Sequence, residues 1–143
     1  VVVSDEQGNT WEDVFAVTIS ETGARIEFSK FDVYADDNDD QKINPGESVS
    51  LRVYLENTGI SKALDVHATF TSDSEYITNL NHNESVDYNA IDPGYSTYPE
   101  FASSFLSFDV SSSTPNGTEI TFHVDITDKH GNTWEDEFII KVE

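Results

Sequence analysis

Cysteine is absent from the 143 residues, and with it go disulfides, thiolate metal sites, structural zinc and cysteine nucleophiles. Extracellular eukaryotic modules of this size usually carry disulfides, so the absence points toward a prokaryotic origin. Cations are scarce: 7 Lys and Arg stand against 28 Asp and Glu, a formal net charge of −21. A surface this negative repels phosphate backbones and anionic headgroups, which argues against nucleic-acid and membrane-surface binding and makes cations the natural partners. No apolar run approaches the roughly 20 residues of a membrane span, so no membrane insertion is expected. Neither an initiator Met nor a signal peptide is present, and the chain reads as a piece of a larger protein.

What remains is enough for one folded domain, since 36% of the residues are hydrophobic and 12% aromatic. Apolar residues alternate with polar ones in Val49, Leu51, Val53, Leu55; in Leu64, Val66, Ala68, Phe70; and in Ile120, Phe122, Val124, Ile126. A period of two gives each strand one wet and one buried face. Trp134, Phe138, Ile140 and Val142 continue the pattern after a turn at Asp128 to Asn132, where Gly131 and Asn132 are expected to supply positive φ. Further strands are read over Arg25 to Tyr34, with a bulge between Phe28 and Phe31, and over Phe101 to Val110, with a parity shift between Phe105 and Leu106. The segment Thr71 to Glu100 is long, polar and irregular, with strand-like patches only at Tyr76-Ile77 and Val86 to Ile91. No helical period is present. The expectation is an all-β, immunoglobulin-like antiparallel β-sandwich of about seven strands.

Residues 1–20 align without gaps onto residues 124–143 at an offset of 123, with nine identities: Val1, Asp5, Gly8, Asn9, Thr10, Trp11, Glu12, Asp13 and Phe15. That period suits tandem globular domains better than a solenoid. Residues 1–20 then form the C-terminal hairpin of a preceding copy, or an extra N-terminal hairpin, and residues 21–143 form the module itself. Neighbouring copies in the same chain are its first expected partners.

Between the first two strands of the module lies Asp36-Asp37-Asn38-Asp39-Asp40-Gln41-Lys42-Ile43-Asn44-Pro45-Gly46-Glu47. Asp36, Asn38, Asp40 and Glu47 fall at the first, third, fifth and twelfth places of the calcium loop D-x-[DN]-x-[DN]-G-x5-E. Lys42 would offer its backbone carbonyl, Asn44 a side chain or a bridged water, and Ile43 an anchor in the core. Calcium takes six to eight hard oxygens, and alternating acids on a curled backbone deliver them to one concave side; magnesium suits the same set less well. The sixth place holds Gln41 where the turn normally asks for Gly. The same residues read alternatively as a solvated acidic turn, the acidity being an adaptation to high salt.

The run INPGESVSLRVYLENTG at residues 43–59, AIDPGYST at 90–97 and VDITDKHGN at 124–132 resembles the CARDB-type and related immunoglobulin-like modules, over roughly residues 24–142. Those are β-sandwich repeats of bacterial and archaeal surface proteins, also found beside secreted peptidases and glycosidases. The resemblance implies a spacer, adhesion or accessory role at an extracellular or cell-surface location, and it carries no catalytic residues with it.

Catalysis finds little support, with no G-x-S-x-G elbow, no phosphate-cradling glycine loop, and histidines scattered at 67, 82, 123 and 130. Trp134 in the repeated GNTWED hairpin is either a half-buried core residue or a sugar-stacking platform. Asp128, His130, Glu135 and Asp136 could gather around a second cation. Tyr76, Tyr88, Tyr95 and Tyr98 either pack the irregular segment onto the sandwich or face a glycan or protein ligand. Sequons stand at Asn83-Glu84-Ser85 and Asn116-Gly117-Thr118. The function read from the sequence is a non-catalytic, calcium-stabilised repeat module; the alternative is a carbohydrate-binding module attached to a secreted hydrolase.

Overall fold

The computed structural model describes residues 1–14, 23–81 and 85–143. The strands among them are β1 (Val2–Ser4), β2 (Thr10–Glu12), β3 (Ile26–Asp36), β4 (Ser48–Asn57), β5 (Ala63–Thr71), β6 (Ile77–Thr78), β7 (Val86–Ile91), β8 (Ser96–Thr97), β9 (Leu106–Val110), β10 (Glu119–Thr127) and β11 (Thr133–Lys141). Every pairing is antiparallel. One sheet runs β11-β10-β5-β7 and the other β3-β4-β9-β6, with β8 added beside β4. Setting aside the two-residue strands and the β1–β2 hairpin, seven strands form an immunoglobulin-like sandwich. The irregular segment keeps the strand-like patches read from the sequence, as β6 and β7.

Alternation builds the core. Val49, Leu51, Val53 and Leu55 of β4 face Ile120, Phe122, Val124 and Ile126 of β10 across the sandwich, all buried. In β3 the register slips between Phe28 and Lys30, which lets both Phe28 and Phe31 pack against the core. Three expectations need correction. In β5 the register slips after Ala63, with Asp65 at φ 47°, so Ala63 is buried and Leu64 only half-buried. Phe101 to Phe105 is not strand: Ala102–Ser104 form a 3-10 turn, and Phe101 is exposed. In the last hairpin only Gly131 takes positive φ; Asn132 does not.

Phe138 of β11 lies between Phe28, stacked at 4.8 Å, and Phe122, stacked at 5.3 Å, and Phe108 continues the column at 5.0 Å from Phe122. The rings come from both sheets and lock them in register; each such pair adds about 0.5–1.5 kcal/mol beyond its buried area.

A polar knot closes one end. Asn57, 1% exposed, accepts from the backbone N–H of Arg25 and Gly59 through Oδ1 and donates from Nδ2 to the carbonyls of Ser61 and Ile91. Its backbone N–H donates to Tyr95 and its carbonyl accepts from Gly94. One side chain therefore joins the start of the module, the 58–61 turn and the end of β7. Gly59 is needed because a Cβ there would lie 2.4 Å from the carbonyl oxygen of Gly23 and 2.5 Å from the nitrogen of Arg25.

The sequence repeat is also a structural one. Asp5 accepts from the backbone N–H groups of Gln7 and Asn9 and from Asn9 Nδ2, and Asp128 accepts from His130, Asn132 and Asn132 Nδ2 in the same pattern. Val3 pairs with Trp11 as Ile126 pairs with Trp134, and Gly8 and Gly131 share positive φ. The environments differ: Val3 is 56% exposed and Trp11 55%, whereas Ile126 is buried and Trp134 packs partly against the core. Phe15, the ninth identity, and the boundary between residues 20 and 21 lie outside the described residues.

Gly59→Ala forces backbone apart and is expected to cost more than about 2 kcal/mol in denaturant unfolding. Asn57→Ala, which removes four side-chain hydrogen bonds, one of them buried and three part-buried, should cost about 2 kcal/mol. Gly94→Ala, with open space around it, should cost only about 1 kcal/mol for its positive φ.

Candidate functional site

The loop from Asp36 to Glu47 joins β3 to β4, and short-range carboxylate capping shapes it. Asp36 Oδ1 accepts from the N–H of Asn38 at 3.1 Å and of Asp40 at 3.2 Å, while its Oδ2 accepts from Gln41 at 2.9 Å. Asn38 Oδ1 accepts from Asp40 at 2.9 Å, and Asp40 Oδ1 from Lys42 at 2.8 Å. Oxygens at alternate positions thus curl the chain inward, each taking the amide two residues on. The curl requires the intervening backbone to reverse, and it does: Asp39 stands at φ 60° and Gln41 at φ 62°. Gln41 therefore adopts the left-handed conformation that glycine would occupy at that place, at a steric cost.

Two anchors fix the loop to the sandwich. Ile43 is buried, and its carbonyl accepts from the N–H of Glu143 at 2.8 Å. Asp37 Oδ2 accepts from Ser48 N at 3.0 Å and closes the base. Glu47 is buried to 9% exposure, takes hydrogen bonds from Asn38 Nδ2, Asn44 N and Asn44 Nδ2, and has no ion pair among the described residues. Asn44 Nδ2 also reaches the Asp40 carboxylate at 3.3 Å. Asp36, Asn38, Asp40, Asn44 and Glu47 are thus one connected cluster. Lys42 stands beside it, its ammonium 3.5 Å from Glu143.

The donor chemistry suits a hard cation, because Asp36, Asp40 and Glu47 supply carboxylates and Asn38 and Asn44 carry amide oxygens that a side-chain flip would turn inward. Among the described residues, however, no group of three or more His, Cys, Asp or Glu side chains is close enough to hold a metal ion by itself. A bound ion would need the amide oxygens and a carbonyl such as that of Lys42 to complete its shell. The second cluster is not assembled either. Asp128 is spent on capping its own turn, and Asp136 Oδ2 accepts from Phe28 N at 2.8 Å, toward β3.

His67 and His123 lie half-buried on the outward side of β5 and β10, with His123 3.8 Å from Asp73 and 3.7 Å from Glu137. Tyr88 is buried with its hydroxyl donating to Val53 O at 3.1 Å, and burial pushes its pKa up. Tyr76 packs partly against the core, whereas Tyr95 and Tyr98 are exposed. Asn116 of the second sequon is exposed; Asn83 and Glu84 lie outside the described residues.

The sequence gives no sign of Asp109. It lines an open groove of about 300 Å³ with Asp36, Asp37, Ser50, Asn79 and Ser107. Hydrogen bonds from Ser48 Oγ at 2.6 Å and from Asn79 Nδ2 hold its carboxyl below the usual carboxylate range. Only the antiparallel register, which sets Ser48 opposite Asp109, brings these residues together.

No family model matches the chain, and no curated protein matches it. Among solved structures it is similar to the sporulation control protein Spo0M of Bacillus subtilis, at 18% identity and a TM-score of 0.39 over 87% of this chain and 50% of that one. It is also similar to a lipoprotein of Bacteroides thetaiotaomicron, at 15% identity and a TM-score of 0.38 over 92% and 86%. A third likeness is to the archaellum periplasmic stator protein FlaG of Sulfolobus acidocaldarius, at 13% identity and a TM-score of 0.34 over 78% and 98%. The chain spans half the length of the Spo0M structure. At TM-scores this low the likenesses carry no argument about function. No helix among the described residues is long and apolar enough to cross a membrane.

Gln41→Gly relieves the left-handed strain and should raise stability by about 0.5–1 kcal/mol, read as a higher thermal midpoint. For Asp109, a depressed folded pKa contributes stability that is present above the unfolded value and lost as pH falls through the folded one. Asp109→Asn should therefore melt below the wild type at neutral pH, and the gap should narrow in melts as the pH is lowered below the ordinary carboxylate range.

Proposed function

We propose that the chain is a non-catalytic, calcium-stabilised module of a tandemly repeated extracellular or cell-surface prokaryotic protein, serving as a stalk or accessory domain. The observation that carries this reading is the duplicated hairpin: capping pattern and strand register recur between residues 1–14 and 124–137. In the second hairpin the apolar face is covered by the sandwich, whereas Val3 and Trp11 of the first stand exposed. That difference fits a hairpin whose own sandwich is a preceding copy.

Calcium enters through the loop. Glu47 is a buried carboxylate that takes hydrogen bonds from two side-chain amides and one backbone N–H and has no ion pair among the described residues, an arrangement that a divalent ion would stabilise. Such an ion would be held by Asp36, Asn38, Asp40, Lys42, Asn44 and Glu47, and its chemistry there would be structural. An ion binding only the folded state adds RT ln(1+[L]/Kd), about 2.7 kcal/mol at a hundredfold excess over Kd. It would stiffen the connection between β3 and β4 and, through the Ile43–Glu143 bond, the end of the module.

Thermal melts in millimolar calcium and in chelator test the reading. Calcium should raise the midpoint by several degrees, and Asp36→Ala and Glu47→Ala should abolish that response. A midpoint indifferent to chelator but raised by molar KCl would replace the ion site with general adaptation to salt.

A further inference from the structure

We propose that the outer face of the β3-β4-β9 sheet binds a neutral oligosaccharide, with Tyr34 and Tyr98 as stacking platforms and Ser50, Ser107, Asn79 and Asp109 as partners for sugar hydroxyls. The site does not depend on the tandem arrangement, and its rings and hydroxyls are not among the groups that would hold calcium.

The two outer faces of the sandwich differ in kind. Outward positions on β5, β10 and β11, such as His67, Thr69, Thr121, Asp125, Glu135 and Glu137, include no Phe, Tyr or Trp. The opposite face gathers rings. Tyr34, 50% exposed, meets Phe105 edge-on at 4.8 Å; Tyr98, 39% exposed, meets Tyr54 at 4.9 Å and Phe105 at 6.2 Å. The Arg52 guanidinium sits among them, 4.9 Å from the Tyr98 ring centre and 5.4 Å from that of Tyr34. Arg52 holds its neighbours in a fixed cluster, so the exposed rings are pre-positioned and little side-chain freedom remains to be lost on binding.

The polar half adjoins the aromatic half through the strand register. Ala35, next to Tyr34, pairs with Ser50; Ser50 pairs with Ser107, and Ser48 with Asp109. Together with Asn79 these residues line the groove of about 300 Å³ beside the rings. Ser50 and Ser107 hydroxyls lie 3.2 Å apart, and Asp109 stays ionised with lone pairs left for further donors. Aromatic faces next to hydroxyl, amide and carboxylate groups complement a sugar ring, which is apolar on its C–H face and polar at its rim.

Charge selects among ligands. Asp37 and Asp109 in the groove, on a chain of net charge −21, repel an anionic oligosaccharide. A neutral polyol does not meet that barrier.

The test is calorimetric titration of the whole chain with cellulose, xylan, mannan and laminarin hexasaccharides, and with an alginate hexasaccharide as the anionic arm. At least one neutral oligomer should bind. Tyr34→Ala and Tyr98→Ala should each weaken it roughly tenfold, and Trp11→Ala should leave it unchanged. Amide shifts in a nitrogen-labelled wild-type sample, which need no variant to fold, should cluster at Tyr34, Ser50, Ser107 and Asp109. The proposal is overturned by silence toward every neutral oligomer at millimolar concentration, by preference for alginate, or by shifts centred on the Asp128–Trp134 turn.

Discussion

The hydrogen bond from a backbone amide to an aspartate carboxylate is the interaction on which this structure most depends. With four times as many acids as cations, few of the carboxylates can be neutralised in ion pairs. Those pairs that form, such as Lys30 with Asp32 and Lys62 with Asp92, lie on the surface, where each contributes little. Aspartates instead cap the chain: Asp5 and Asp128 their hairpins, Asp36, Asp37 and Asp40 the long connection, Asp87 a bend in β7. Each takes N–H groups that a turn would otherwise leave to water, and the excess of negative charge becomes a set of turn-specifying devices.

The interior is built on different terms. The column of Phe28, Phe138, Phe122 and Phe108 couples the two sheets, and Asn57 supplies polar closure where the column ends and three segments meet. Loss of a column ring leaves a cavity, whereas loss of Asn57 removes four hydrogen bonds at once. A surface with so little cationic charge thus rests on a core that needs none.

Much of the fold was legible because its signal is local. Period-two runs marked β4 and β10 residue by residue, and the crowding of Phe28 and Phe31 announced the bulge in β3. Leu64 was misassigned because Asp65 turns the backbone through positive φ, an event that alternation does not register. The parity shift between Phe105 and Leu106 marks the true start of β9 rather than a bulge within it, because the Phe105 ring is spent under Tyr34 and Tyr98. Of the candidate metal loop, the order of the oxygens and the burial of Ile43 followed from spacing. Gln41 at the glycine place was also marked by the pattern, whereas the tie from Asp37 to Ser48 and the bond from Glu143 to Ile43 are long-range features with no mark in it. Asp109 was invisible for the same reason, since only pairing across the sheet gives it Ser48 and Asn79.

The bond from Phe28 N to Asp136 Oδ2 has a consequence for assembly. It joins β3 and β11, the outermost strands of the two sheets, and occupies an amide of β3 at the bulge between Phe28 and Lys30. A free rim of unpaired strand invites another chain to pair with it, most readily one of nearly identical sequence. A single carboxylate laid across the rim, with a charge that no incoming strand welcomes, blocks such pairing at the bulge.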